Sequence, residues 1–443
     1  MFFKIKMLES IQYILRFLLG ESVPAYVVSL VGYTNNAEEY KNFKLVIKPG
    51  DFFDNEVFGT VNSLPKLPLT IWEETPILFG DGIIENIEDT IILHADLIAS
   101  TFFLVSRYEE LIRNDIRDAH GRFLGKESLP YRGGFIDRPL VEEYGKILRA
   151  ILRNAGLDAP EPPKHIQKVF LTHDIDQFTH FRSIRGMIGG VLRGIKRPKE
   201  GQKALRSFFG NITNDPWYTF PFLFNQNSLL IKQIGKERCE VIAFFRCAGS
   251  KFKEDKPFPN LLHPDYKTLI KYCKRKNVTI GIHASYNAGL HPENIIDEKQ
   301  KLDRIAKVDA KYCRNHYLDS REPLDMLKLI EAGITDDFTM GYADMAGFRL
   351  GTCRPVRFIN PKTKELTPLT LHGLTVMDST LSDKRYMYMN AHDALLYCEQ
   401  LINVVEEFNG ELVLLWHNTM VEKVASLYHR QLYRDLIKLL QTK

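Results

Sequence analysis

The chain has 443 residues, of which 44% are hydrophobic and 26% charged. That balance excludes wholesale disorder and leaves enough apolar material for two or three domains. With 59 basic against 55 acidic side chains the net charge is only +4, which argues against a dedicated nucleic-acid binder.

The N-terminal stretch to Ser22 is apolar but broken by Glu9, Ser10, Gln12 and Arg16, a pattern that predicts an amphipathic helix and not a signal core. No apolar run of about 18 residues follows, so no membrane span is expected and the reading is a cytoplasmic protein. Short β-rich runs come next at Tyr26–Val31 and Lys44–Lys48, then a helical stretch from Asp96 to Ile112 and a helix over Val141–Asn154. Pro160, Pro162 and Pro163 mark an extended linker. It divides the chain into a smaller α+β domain (1–165) and a second domain (166–443).

A β-then-α rhythm begins after the linker. Strands are predicted at Lys168–Thr172, Cys239–Phe245, Val278–Ile282, Tyr312–Cys313, near Phe338, at Leu374–Met377 and at Glu411–Trp416. Helices are predicted at His263–Arg275, Asn294–Lys311, Leu324–Glu331 and His392–Phe408. Apolar strands alternating with helices imply a parallel sheet covered by helices, and about seven units suit a barrel. The six cysteines form no CxxC pair and read as free buried thiols.

In β/α barrels the chemistry sits at the C-terminal ends of the strands. The first strand runs into Asp174 and Asp176, the third into His283, Ser285 and Asn287, and the fourth into Arg314 and His316. The sixth ends at Asp378 and the last at His417. Each residue alone reads as a cap, a structural histidine or an ion-pair partner. Together they are the residue types of a divalent metal site for hydrolysis, with a spare carboxylate as base and a remote histidine as acid.

At these residues the sequence resembles the polysaccharide deacetylases of the NodB-homology group (carbohydrate esterase family 4). The resemblance implies a distorted (β/α)7 barrel and a divalent metal, usually zinc, that serves removal of acetyl groups from N-acetylated sugars. Thr172-His-Asp174-Ile-Asp176 is similar to the first family motif, with the second carboxylate one residue later. The resemblance assigns the base to Asp174 and a metal ligand to Asp176, and the two roles are exchangeable. The segment around His283 keeps the first ligand of the second motif, but Asn287 stands where the other histidine belongs. The third ligand is then Asn287, His316 or no side chain at all. Arg314 matches the arginine that orients the base, and Val413–His417 resembles the strand ending in the acid.

Arg349, in a segment (337–351) similar to one subgroup's signature, is expected to point toward the site, with Asp378 and Trp416 as substrate contacts. The segments 106–111, 118–123 and 138–141 resemble an uncharacterised domain that precedes such barrels, their charged residues reading as a structural ion-pair network. The expected substrate is an acetylated sugar or polysaccharide precursor. Two other readings stay open: a catalytically impaired barrel that binds glycans, and a glycoside hydrolase pairing Asp174 with Asp378. The basic run Arg182, Arg185, Arg193, Lys196, Arg197, Lys199 and Lys203 reads as a solvated helix face or as a contact for an anionic polymer or membrane surface.

Overall fold

The computed structural model describes residues 2–422 and 427–443, and in the first helix the side chains from residue 7 onward. That helix, α1 (Phe2–Leu19), buries Ile14, Leu15, Leu18 and Leu19 on one face. After α2 (Ala25–Val28) come the strands β1 (Val31–Tyr33), β2 (Leu45–Ile47), the hairpin β3 (Thr70–Trp72) and β4 (Thr75–Ile77), and β5 (Ile84–Ile87) and β6 (Thr90–Leu93). A four-stranded sheet has the order β1-β2-β6-β5, parallel except for β5. Helices α3 (Leu97–Val105), α4 (Tyr108–Ile112), α5 (Leu129–Arg132) and α6 (Leu140–Asn154) complete this part. α6 lies so close to α1 that a Cβ on Gly145 would meet the Leu18 carbonyl at 2.2 Å. Arg149 Nη1 donates to that carbonyl (3.0 Å), capping the end of α1.

Two expectations change here. The β-rich run from Tyr26 opens as helix, with Val27 buried, and only from Val31 is there a strand to pair with β2. Tertiary partners override a β preference this short. The helical stretch from Asp96 is broken at Arg107, which takes a left-handed φ of 61°.

From Lys168 the chain builds a nine-stranded, mostly parallel, curled sheet. Its strands are β7 (Lys168–Ile175), β8 (Cys239–Arg246), β9 (Thr279–Ala284), β10 (Tyr312–Asn315), β11 (Asp336–Met340), β12 (Val356–Ile359), β13 (Leu366–Gly373), β14 (Val376–Met377) and β15 (Glu411–Leu415), in the order β12-β13-β11-β10-β9-β8-β7-β15-β14. The connections carry α7 (Ile184–Gly194), α8 (Pro198–Phe209), α9 (Phe220–Ile234), α10 (Pro264–Arg275), α11 (Tyr286–Leu290), α12 (Asn294–Ala306), α13 (Met326–Glu331), α14 (Asp378–Ser382), α15 (Ala391–Glu407) and α16 (Leu427–Leu440). The sequence reading lacked β12 and β13, and its strand at Leu374–Met377 falls on β14, just past the end of β13. Pro368 reads as a breaker, but it falls where the β12–β13 register slips, so no ladder bond is lost.

Strand parity sorts the side chains. Phe170, Ile242, Phe244, Phe338, Val413 and Leu415 form one cluster inside the curl. Their neighbours Val169, Leu171, Val241, Ala243, Leu412 and Leu414 point outward into the larger core under the helices. At the N-terminal ends of the strands the inside is closed by charges. Lys168 pairs with Glu240 (2.7 Å), and His372 lies between Glu411 (2.7 Å) and Asp336 (3.1 Å) with its ring stacked on Phe338.

The N-terminal part is tied to the sheet by buried ion pairs. Arg107 donates to Glu110 and to Ser320, and Arg349 makes two bonds to Glu110 (3.0 and 2.8 Å). Burial pushes the Glu110 carboxyl up, but the two guanidiniums outweigh it and bring it to about 2. Glu142 accepts from Thr352 (2.5 Å) and Arg354 (2.9 Å). All six cysteines are free and buried.

Candidate metal centre

The inner face of the curl turns polar at the C-terminal strand ends. On β7, Phe170, Thr172 and Asp174 share that face, and Asp176 continues it two residues on. On β9 the inward residues are Gly281, where a Cβ would meet the Phe244 ring at 2.6 Å, and His283. β10 supplies Arg314 and, one step beyond its end, His316; β15 supplies Leu415 and then His417. The period of two is what brings these residues from four distant segments to one rim.

Asp176, His283 and His316 converge as a group able to hold a metal ion. Asp176 Oδ1 lies 3.0 Å from His283 Nε2 and 3.2 Å from His316 Nε2. His283 Nδ1 sits 2.9 Å from the Arg314 carbonyl and donates to it, so Nε2 is the ring nitrogen turned toward Asp176. Asp176 Oδ1 and His283 Nε2 are both buried and have no hydrogen-bond partner among the described residues. Two buried polar atoms facing each other without a hydrogen-bond partner are the kind of donor set that suits a divalent cation. The Asp176 side chain keeps 31% of its surface open toward a cleft of about 270 Å³, which gives the centre access.

Asp174 lies beside this centre, with its Oδ2 3.7 Å from His283 Nε2. Arg314 Nη1 reaches both Asp174 Oδ1 (3.1 Å) and Thr172 Oγ1 (2.6 Å). Its Nε donates to the Phe338 carbonyl (3.0 Å), and its guanidinium lies over the Phe244 ring. Across the cleft, His417 Nδ1 is 2.8 Å from Asp378 Oδ1, and its backbone N–H donates to Asp378 Oδ2 (2.7 Å). That leaves Nε2 facing inward, 3.9 Å from Asp176 Oδ2.

Burial drives His316 down to about 3 against the pull of Asp176. Burial also pulls His417 down, but Asp378 outweighs it and raises the imidazole to about 10. Burial alone pushes the Asp176 carboxyl up; the imidazoles around it, His316 foremost, more than offset this and hold it well below the usual carboxylate range.

The other residues singled out in the sequence lie elsewhere. Asn287 sits on α11, gives its backbone N–H to Asp255 (3.2 Å) and does not line the cleft, because a helix turn follows β9. Trp416 is one residue from His417 and therefore faces the opposite way, fully buried against Tyr433, where no substrate reaches it. Arg349 is bonded to Glu110 and the Gly341 carbonyl and does not line the cleft. Asp378 is fully buried under His417, without open surface for a substrate. His173 faces outward: it donates from Nδ1 to the Trp416 carbonyl (2.7 Å) and accepts at Nε2 from Asn227 (2.9 Å), and burial lowers it to about 4.

Sequence reasoning missed several cleft residues. Tyr317 follows His316 with φ 63°, a left-handed and strained position for a bulky side chain. Arg122, from the N-terminal part, donates to its carbonyl (2.9 Å) and to Tyr386 Oη (3.3 Å). Asp255, fully buried, stands 4.0 Å behind His316 Nδ1. Only the tertiary fold assembles these.

Residues 2–156 match a protein family of unknown function (DUF7033). No curated protein matches the chain by sequence. Among solved structures it is similar to a protein of Mycobacterium smegmatis assigned as a polysaccharide deacetylase, at 13% identity and a TM-score of 0.39, over 63% of this chain and 85% of that one. It is also similar to the allantoinase PuuE, at 12% identity and a TM-score of 0.36, over 63% of this chain and 88% of the other.

Proposed function

We propose that the chain is a metal-dependent hydrolase that removes an acyl group, N- or O-linked acetyl foremost, from a carbohydrate or a related amide. The observation that carries this reading is the orphaned Asp176–His283–His316 donor set lying between an Arg-paired carboxylate and an Asp-paired imidazole. A divalent cation held by those three residues, zinc by the chemistry of the donors, supplies Lewis acidity at a carbonyl oxygen and lowers the pKa of water. Asp174 takes the proton from the attacking water, and Arg314 fixes that carboxylate's position. His417, charged and oriented by Asp378, delivers a proton from Nε2 to the leaving nitrogen or oxygen. His316 supplies the third donor that Asn287 does not, which favours hydrolysis over glycan binding alone. Both Asp378 oxygens are taken by His417, which disfavours a glycosidase pair with Asp174.

The same reading holds the sheet to be a distorted seven-stranded barrel, preceded by a separate unit over 1–165. Its support is the segment 366–377. Leu374 N–H donates to Met340 on β11 (3.0 Å), and Thr375 N–H donates to Val413 on β15 (3.1 Å), so one segment bridges both flanks. The test is acetate release from N-acetylated and O-acetylated sugar oligomers. Hydrolysis should be abolished by a chelator, restored by zinc, and lost in Asp174→Asn. Acetate release that persists after chelation and in Asp174→Asn overturns the reading.

A further inference from the structure

Helices α7 and α8 close on each other through small residues. A Cβ on Gly190 would meet that of Ala204 at 2.6 Å, and one on Gly194 would meet Gly201 Cα at 2.7 Å. The seam leaves the large apolar side chains outside. Ile184, Ile188, Val191, Leu192 and Ile195 fall on one helical face, yet they are between 38% (Val191) and 79% (Ile195) exposed. Leu205 and Phe209 extend the stripe along α8. A helix of a globular protein turns such a stripe toward its core, and this one is turned outward.

The same segment, 182–210, carries eight cationic side chains and one carboxylate, Glu200, a net of +7. Arg182 is engaged by Asp265 and Arg193 by Glu200, and Lys203 lies 3.8 Å from Glu422. Among the described residues, Arg185, Lys196, Arg197, Lys199 and Arg206 enter no ion pair. An apolar stripe fringed by free cations complements an anionic bilayer, with acyl chains for the stripe and phosphates for the fringe. A second copy would set +7 against +7, and a neutral glycan would leave the cations unused.

The stripe also opens onto the metal centre. A groove of about 460 Å³ is lined by Ile184, Phe208, Phe258 and Phe178 together with Asp176. We propose that the α7–α8 hairpin docks the protein on an anionic phospholipid surface, so that this groove receives the hydrocarbon part of a membrane-borne acyl compound. The docking surface stands on the hairpin alone, whereas the substrate's position rests on the hydrolase reading.

The test is sedimentation of the full chain with phosphatidylcholine vesicles, with and without phosphatidylglycerol. Binding is expected to the anionic vesicles, to weaken as salt rises, and to fall at least about 10-fold in the Ile188→Ser/Leu192→Ser variant. Both positions are exposed, so zinc binding and circular dichroism should not change in that variant. Absence of vesicle binding at low salt, equal binding by the variant, or a wild-type dimer dissolved by the same substitutions overturns the docking. Vesicle binding without chelator-sensitive hydrolysis supports the docking and counts against the hydrolase reading and the substrate placement built on it.

Discussion

Arg314 is the residue whose removal the structure prices most directly. It is fully buried, and its guanidinium holds Asp174, Thr172 and the Phe338 carbonyl at once. Arg314→Met keeps the bulk over Phe244 but strands the Asp174 carboxylate, only 3% exposed, without a counter-charge. Breaking a buried pair from one side costs about 3–5 kcal/mol, and an orphaned carbonyl adds about 1–3 kcal/mol. Asp174→Asn alone strands Arg314 in turn. The double variant removes both charges of the pair, so it should be at least about 2 kcal/mol less destabilised than the sum of the single changes. The assay is urea unfolding of all four proteins followed by near-UV circular dichroism. A cost below about 1 kcal/mol for Arg314→Met, or strict additivity, would show that the pair is not the buried, coupled unit described.

Two further outcomes follow from ion pairs away from the cleft. Burial pulls His372 down, but its bonds to Asp336 and Glu411 outweigh that and raise it to about 9. A folded pKa above the unfolded value of about 6.5 means stability that is fully present below that pH and is lost as pH rises through about 9, about 3 kcal/mol in all. Wild-type unfolding midpoints should therefore drop between these pH values while those of His372→Gln stay flatter; parallel curves would refute the assignment. Arg349→Met should cost about 1.5–3 kcal/mol, since Glu110 loses its bonds to Arg349 but keeps Arg107, yet leave zinc affinity unchanged in calorimetry. A loss of zinc affinity there would tie Arg349 to the centre after all.

The rim was legible where the sequence carries a parity signal. Asp174 and Asp176, Arg314 and His316, and Leu415 and His417 are pairs two apart at the ends of apolar runs, and strand geometry sends both members inward. The same rule read backward places Trp416 outside, a signal that was present and unused. Asn287 shows the limit of motif spacing, since the count to a second ligand holds only while the strand continues, and Ser285 caps a helix there. Arg122, Asp255 and the strained Tyr317 had no local pattern to betray them, because they meet the centre only through long-range packing. The strand β13 is interrupted by Pro368, and the break at Arg107 lies within a helical periodicity that tertiary hydrogen bonds to Ser320 interrupt.

The most direct test of the metal centre is calorimetric titration of the chelator-treated chain with zinc, alongside His316→Ala and Asn287→Ala. One equivalent should bind the parent and Asn287→Ala alike, and His316→Ala should lose it. Unchanged binding in His316→Ala, or its loss in Asn287→Ala, would contradict a centre built from Asp176, His283 and His316.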